Sequence, residues 1–170
     1  MKGRDRRVEQ PGVGNAAKNS GVATDPRYYL TSVSDGDDAR AEQILHRLLD
    51  KGRYVFAENA PHLNKLKAGD RLCFYVSGLG VAAEVEILSH PRRTEVPFSR
   101  RGREFPYEVE VARARFFFNR PVKIDAELRS RLDAFRDRYR ETNWALFVRT
   151  MTWLTAHDFS LLAGGSQQTR

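Results

Sequence analysis

Apolar and polar positions between residues 28 and 163 predict six strands and three helices. The strands are runs in which apolar, β-branched and aromatic residues dominate or alternate with polar ones, at 28–33, 53–56, 72–76, 81–88, 107–118 and 145–148. The turn from Ser77 to Gly80 joins the third and fourth runs into a hairpin. The predicted order, β-α-β-β-β-β-α-β-α, favours the α+β class and a mixed, mainly antiparallel barrel decorated by helices.

Three segments have the spacing and end signals of helices. Over 38–51 apolar residues recur three and four positions apart, and Gly52 supplies a helix stop. A second helix is predicted to begin at the Asp125 cap. Its apolar stripe would consist of Leu128, Leu132, Phe135 and Tyr139. Thr155 and Asp158 form a capping-box-like start for the third helix.

Three stretches lack any hydrophobic period. Residues 1–27 are rich in glycine, asparagine and charge, so we predict a disordered basic N-terminal tail. Residues 164–170 are predicted to form a short flexible C-terminal tail. The segment Ser89–Phe105 contains five arginines and two prolines, and it is predicted to be a long basic loop. The sequence therefore predicts one domain over residues 28–163.

The charge balance favours a polyanionic partner. Lysine and arginine total 29 against 22 aspartates and glutamates, a formal net charge of +7. Residues 1–27 hold six basic and three acidic residues, so the tail alone contributes +3 of this charge. Nucleic acid is a partner that such a surface attracts through phosphate contacts and counterion release.

Residues with metal-binding or redox chemistry are sparse. The single cysteine, Cys73, lies in an apolar run, which predicts a buried side chain and precludes an internal disulfide. The four histidines have no ligand spacing, so we predict neither a metal site nor a cofactor. No apolar run approaches the roughly 20 residues that a membrane span needs. We expect no membrane association and a cytoplasmic location.

Aromatic residues and arginines are interleaved over much of the domain. This composition can stack a nucleobase while binding its phosphates. Aromatic residues in alternating strands are also the large side chains that fill a small barrel, and that interpretation is the more common one. The arginines of the 89–105 segment are equally consistent with a solvated loop and with phosphate contact. The residues alone leave both alternatives open.

Four segments together resemble the EVE family. Leu66–Gly78 (LKAGDRLCFYVSG) and Gly80–Glu86 (GVAAEVE) are similar to a characteristic strand of that family and its hairpin partner. Phe105–Val111 (FPYEVEV) resembles the following strand, and Met151–Leu162 (MTWLTAHDFSLL) resembles the closing segment. All four occur in the family's order.

The resemblance implies a PUA-like pseudo-barrel related to YTH and ASCH domains, which binds a modified base of DNA or RNA and does not catalyse a reaction. The residues that it assigns to the base-binding pocket are Ser32, Val33, Ser34, Tyr54, Tyr75, Ser77, Gly78, Phe147, Thr150 and Trp153. Either Tyr54 or Trp153 would be the stacking wall, and Ser77 and Thr150 would contact the base edge. The phosphate contacts would be Arg92, Arg93 and Arg149.

Two alternatives belong to other functional classes. An ASCH-like hydrolase acting on a modified nucleoside would need a lysine, a threonine and a glutamate in one pocket. The candidates for this set are Lys65, Lys67, Thr150 and Glu84. A protein-interaction module would bind an acidic partner through the basic tail or through the arginine-rich helix 126–140.

Overall fold

Seven strands form one curled mixed sheet in the order β2-β6-β4-β3-β1-β7, with β5 paired to β6. The computed structural model describes residues 24–137 and 142–164, so the predicted tails up to residue 23 and from residue 165, and Tyr139, lie outside it. The strands are β1 Tyr28–Val33, β2 Arg53–Phe56, β3 Arg71–Val76, β4 Gly80–Ile87, β5 Arg92–Arg100, β6 Arg103–Phe116 and β7 Thr152–Leu154. The helices are α1 Ala41–Asp50, α2 Ala126–Arg131, α3 Trp144–Arg149 and α4 Ala156–Ala163, with short 3₁₀ turns at Leu63–Lys65 and Asp133–Phe135.

The pair β1 and β3 is parallel, whereas the other strand pairs are antiparallel. Parallel neighbours require a crossover, and residues 34–70, which include α1 and β2, provide it. Because the two strands run in the same direction, their carboxyl ends meet at one edge, where Val33 is paired with Val76. The structure is therefore an α+β half-barrel with helices around it, as predicted.

Both faces of the central strands are buried. Tyr29 and Val33 of β1 lie in a core under α1, whereas Leu30 points into a second core that includes residues of α3 and α4. Two buried faces explain why β3 is a continuous apolar run instead of an alternating one. Cys73 is buried in the second core, as predicted, and desolvation raises the pKa of its thiol.

Two buried aspartates connect separate parts of the chain. Asp70 accepts hydrogen bonds from the backbone N–H groups of Arg27 (3.0 Å) and Lys67 (3.1 Å). Asp158 accepts from the backbone N–H groups of Asp133 (2.6 Å) and Ala134 (3.0 Å). Each carboxylate thus provides hydrogen-bond acceptors for two backbone N–H groups in a region with little access to water. Both aspartates belong to segments that carry the family resemblance, and here their role is structural.

The prediction of a loop over 89–105 is wrong, because this segment forms β5 and the start of β6. Pro97 and Pro106 fall between the regular pairs Arg93–Tyr107 and Phe98–Phe105, where the register shifts. The irregularity lets the hairpin tolerate prolines that cannot donate a ladder hydrogen bond.

Two predictions near the carboxyl end also need correction. The segment Ala145–Val148, predicted as a strand, lies in α3, because a short apolar run is ambiguous between the two states. The second helix ends at Arg131 and does not continue through Phe135. Leu132 is extended, with φ −81° and ψ 134°, and the next two backbone N–H groups donate to the Asp158 carboxylate. The Thr155 cap is confirmed, since its hydroxyl accepts from the Asp158 N–H. No helix in the described part of the chain is both long enough and apolar enough to span a bilayer.

Candidate functional site

The loop between β1 and α1, residues 34–40, is held in one conformation by its own hydrogen bonds. The Gly36 N–H donates to the Ala39 carbonyl at 2.8 Å. The Asp35 carboxylate accepts from the Ala41 N–H at 2.8 Å, which satisfies a free donor at the start of α1. The loop therefore presents the Ser34 carbonyl and the Asp37 side chain from a fixed backbone.

The tip of the β5–β6 hairpin, residues 100–103, contacts this loop. Arg101 and Gly102 have φ values of 50° and 67°, the left-handed pair of a two-residue type I′ turn. The Arg101 N–H donates to the Asp37 carboxylate at 2.9 Å. The Arg100 guanidinium donates to the Ser34 carbonyl at 3.0 Å. These two contacts attach the hairpin tip to the β1–α1 loop.

Arg100 is a half-buried cation on an aromatic surface. Its guanidinium carbon lies 4.8 Å from the centre of the Phe105 ring, and Phe98 lies edge-on to Phe105 at 6.0 Å. Burial lowers the pKa of Arg100, but an arginine remains protonated in proteins. The side chain thus offers a positive charge and a planar stacking surface at the same point.

Tyr54 lies close to the same point, within the core. Its ring is 5% exposed and packs edge-on against Phe56 (5.1 Å) and Phe74 (4.7 Å). Burial raises its pKa to about 12, so the hydroxyl is neutral and reaches towards the Ser32 carbonyl at 3.5 Å. The other ring of the predicted stacking pair, Trp153, is 53% exposed and lies opposite Tyr29, three residues before Ser32 on β1. The structure places these two rings at different points along β1, and their stacking role remains a prediction.

An open cleft of about 290 Å³ lies between the β1–α1 loop, α1 and the end of β5; we call it the loop–hairpin cleft. Carboxylates and cations both line it, together with apolar side chains. Its lining residues are Gly36, Asp37, Asp38, Ala39, Ile44, Arg47, Leu48, Lys51, Arg53, Phe98, Ser99 and Arg100. It therefore offers hydrogen-bond acceptors, donors and an aromatic edge within one concave surface.

Several residues of the predicted set lie near one another at the carboxyl ends of β1 and β3. The parallel pairing places Ser32 beside Tyr75, and the Ser77 N–H donates to the Val33 carbonyl at 2.9 Å. The Ser32 hydroxyl donates to the Arg149 carbonyl at 3.4 Å, which brings the end of α3 to the same edge. Members of the predicted set at or next to this edge are Ser32, Val33, Ser34, Tyr75, Ser77, Gly78, Arg149 and Thr150.

Phe147 is buried in the second core, against which Tyr75 also packs, and its ring contacts Phe135 at 4.8 Å. Two of the predicted phosphate contacts are engaged in ion pairs. Arg92 binds Glu108 and Glu110 at 3.0 and 3.3 Å, and Arg93 binds Glu58 at 2.8 Å.

The residues proposed for hydrolysis are not brought into contact in the described part of the chain. Glu84 is buried between the guanidinium groups of Arg71 (3.1 Å) and Arg115 (2.6 Å), so its carboxylate is already engaged in two ion pairs. The Lys67 ammonium donates to the Thr24 hydroxyl. No contact joins Glu84 to Thr150 among the described side chains.

The carboxylates and imidazole of Asp133, His157 and Asp158 are close enough for a common ligand, with donor atoms within 4.8 Å of one another. Asp158 uses both carboxylate oxygens for backbone N–H groups, and Asp133 accepts from the Thr155 hydroxyl at 2.9 Å. The His157 Nε2 lies 3.2 Å from the Arg131 carbonyl. Internal hydrogen bonds thus explain this cluster.

Sequence reasoning left Arg100 open between a solvated loop and phosphate contact, and it did not single out Phe98 or Asp37, because a predicted loop over 89–105 gave no pairing that would place them together. A usable signal was present in the Arg101-Gly102 pair, which has a glycine where a type I′ turn requires it. The flanking Phe98 and Phe105 could then have been aligned as facing residues of a hairpin.

The sequence matches no protein-family model and no curated protein. Similar solved structures do exist. A protein of Agrobacterium tumefaciens aligns with a TM-score of 0.53 at 12% identity, over 85% of this chain and 96% of that chain. A hypothetical protein from Leishmania major aligns with a TM-score of 0.51 at 17% identity, over 86% and 98%. The YTH domain of mmi1, solved in complex with RNA, aligns with a TM-score of 0.52 at 12% identity, over 82% and 80%. The chain therefore has the PUA-like fold that YTH domains share.

Proposed function

We propose that this chain is an EVE-type module that binds nucleic acid and recognises a modified base, without catalysing a reaction. The observation that carries the proposal is the position of Arg100. Its half-buried guanidinium lies on Phe105 at 4.8 Å and lines an open cleft that also contains two aspartates. Such a planar cation stacks on or hydrogen-bonds to a nucleobase held out of a helix.

The loop–hairpin cleft supplies the groups that base recognition needs. Carboxylates of Asp37 and Asp38 can accept hydrogen bonds from an exocyclic amino group, as acidic residues do with cytosine. Arg47 and Lys51 on α1 supply positive charge for the adjoining phosphates. A base that carries an amino group is therefore the class that best fits this lining.

The predicted pocket residues at the carboxyl ends of β1 and β3 adjoin the cleft through the contact between Ser34 and Arg100. Ser34 belongs to that edge, and its carbonyl binds Arg100, so the two sets of residues meet there. Ser77 and Thr150 are exposed at or beside this edge, and Arg149 is an exposed cation at the end of α3. Arg92 and Arg93 would have to exchange glutamate partners for phosphate.

Two further observations support nucleic acid as the partner. The net charge of +7 attracts a polyanion. The fold is shared with a YTH domain whose structure was solved with RNA. At a sequence identity of 12%, this similarity concerns the fold only.

The test is a binding panel measured by fluorescence anisotropy. The oligonucleotides are single- and double-stranded DNA and RNA with plain, methylated, hydroxymethylated or thiolated bases, at two salt concentrations. We expect at least about tenfold preference for one modified base, about 1.4 kcal/mol. Arg100→Ala should abolish the preference, and Arg100→Lys should retain little of it because a lysine lacks the planar guanidinium.

Arg136→Ala serves as the charge-matched control, since Arg136 is exposed and pairs with Asp133 at 2.7 Å, away from the cleft lining. Equal, salt-steep binding of all oligonucleotides, lowered alike by Arg100→Ala and Arg136→Ala, would contradict base recognition and leave a merely basic surface.

A further inference from the structure

Three aromatic rings form a row beside the exposed face of α1; we call this row, His46, Phe116 and Phe118, the aromatic shelf. The His46 imidazole lies parallel to the Phe116 ring, with centroids 4.7 Å apart and an interplanar angle of 13°. Phe116 and Phe118 follow at 5.3 Å and 33°. The His46 side chain is 53% exposed, and the two phenylalanines are half-buried.

The orientation of the first ring is fixed. The His46 Nδ1 lies 2.7 Å from the Asp50 carboxylate, one helical turn away, and one face of the imidazole stacks on the Phe116 ring. Phe118 packs partly against the core under α1. A shelf whose rings already have such contacts can receive a planar ligand with little further loss of side-chain freedom.

The shelf borders a shallow groove of about 440 Å³ lined by Glu42, Gln43, His46, Arg47 and Phe118. Arg47 also lines the loop–hairpin cleft. The groove and the cleft are therefore neighbouring depressions that share one arginine. The Glu42 carboxylate repels phosphate within the groove, so a phosphate is favoured on the Arg47 side.

We propose that the aromatic shelf is a second nucleotide subsite, at which an unpaired base beside the recognised base stacks, while Arg47 binds the phosphate between the two. This proposal rests on the proposed function and deepens it. Stacking on aromatic side chains tolerates every base, because each base has a π-face. A base inside a duplex has its faces covered by its neighbours, so the shelf requires a single-stranded segment.

The experiment compares a short single-stranded DNA of mixed, unmodified sequence with its duplex, again by fluorescence anisotropy. We expect the wild-type chain to bind the single strand more tightly. His46→Ala and Phe118→Leu should each weaken single-strand binding by about tenfold and leave duplex binding unchanged. Phe118→Leu keeps an apolar side chain against the core, and thermal unfolding checks that both variants are folded.

Leu88→Ala is the control, because Leu88 is an exposed apolar residue outside the shelf and the groove. Unchanged single-strand affinity in both shelf variants, an equal loss in Leu88→Ala, or no binding of the single strand would overturn the shelf proposal. A preference for a modified base that depends on Arg100 would then still support the proposed function. Loss of single-strand binding in the shelf variants without any base preference would support the shelf and contradict the base-reading cleft.

Discussion

In two regions of the molecule a carboxylate accepts hydrogen bonds from backbone N–H groups. In one region the carboxylates are buried, and in the other the carboxylate is exposed to solvent. Asp70 and Asp158 are 0% and 1% exposed, and each accepts two such hydrogen bonds. Asp37 is exposed and accepts one, from Arg101 at the hairpin tip. The buried pair fixes the fold, and the exposed one positions the site.

The difference in burial determines how much free energy is lost when each hydrogen bond is broken. A buried donor that loses its acceptor has no water to replace it, whereas an exposed donor exchanges the carboxylate for solvent at little cost. The sheet and its helices are therefore expected to behave as one stable unit. The hairpin tip is expected to open locally, which is the property that a ligand-binding edge needs.

The largest expected effect comes from the buried aspartates. Asp158→Ala leaves the Asp133 and Ala134 N–H groups without their acceptor, and Asp70→Ala does the same to Arg27 and Lys67. Each substitution should lower the free energy of unfolding by about 3 kcal/mol, measured by urea denaturation. The exposed Asp38→Ala should change it by less than about 0.5 kcal/mol. Similar losses of unfolding free energy in the three variants would contradict the proposed difference between buried and exposed carboxylates.

A smaller and local effect is expected at the hairpin tip. Asp37→Ala should cost at most about 1 kcal/mol of global stability, because the contact is exposed. Hydrogen exchange at the Arg101 amide should nevertheless accelerate several-fold, while protection in β3 and β4 stays as in the wild type. If exchange instead accelerates throughout the sheet, the tip is not an independent unit.

The smallest effect should have the opposite sign. Arg101 has a left-handed φ of 50°, at a turn position that asparagine occupies more readily. Arg101→Asn keeps the N–H that binds Asp37 and should raise the free energy of unfolding by about 0.5 kcal/mol. Thermal unfolding at high salt screens the effect of removing the Arg101 charge, so the remaining change in stability comes from the turn. A lower stability of Arg101→Asn at high salt would show that the arginine side chain itself stabilises the turn.

The same contrast explains what the sequence could predict. Buried regions leave periodic patterns, so β1, α1 and the β3–β4 hairpin could be predicted from residues such as Ile44 and Phe74. The loop–hairpin cleft depends on a polar contact between Arg101 and Asp37, which are 64 residues apart. Polar contacts across such a distance leave no period in the sequence. The helix after Asp125 was overestimated for a related reason, since its end depends on Asp158, 25 residues beyond Asp133.

The most direct test of the central claim is a chemical-shift titration of the isotopically labelled chain with the modified oligonucleotide that it binds most tightly in the panel. The account predicts that the largest backbone amide shifts fall in residues 34–39 and 99–103, with those around Asp158 nearly unchanged. Shifts concentrated in α2 or in residues 1–23, with none in the β1–α1 loop and the hairpin tip, would contradict it.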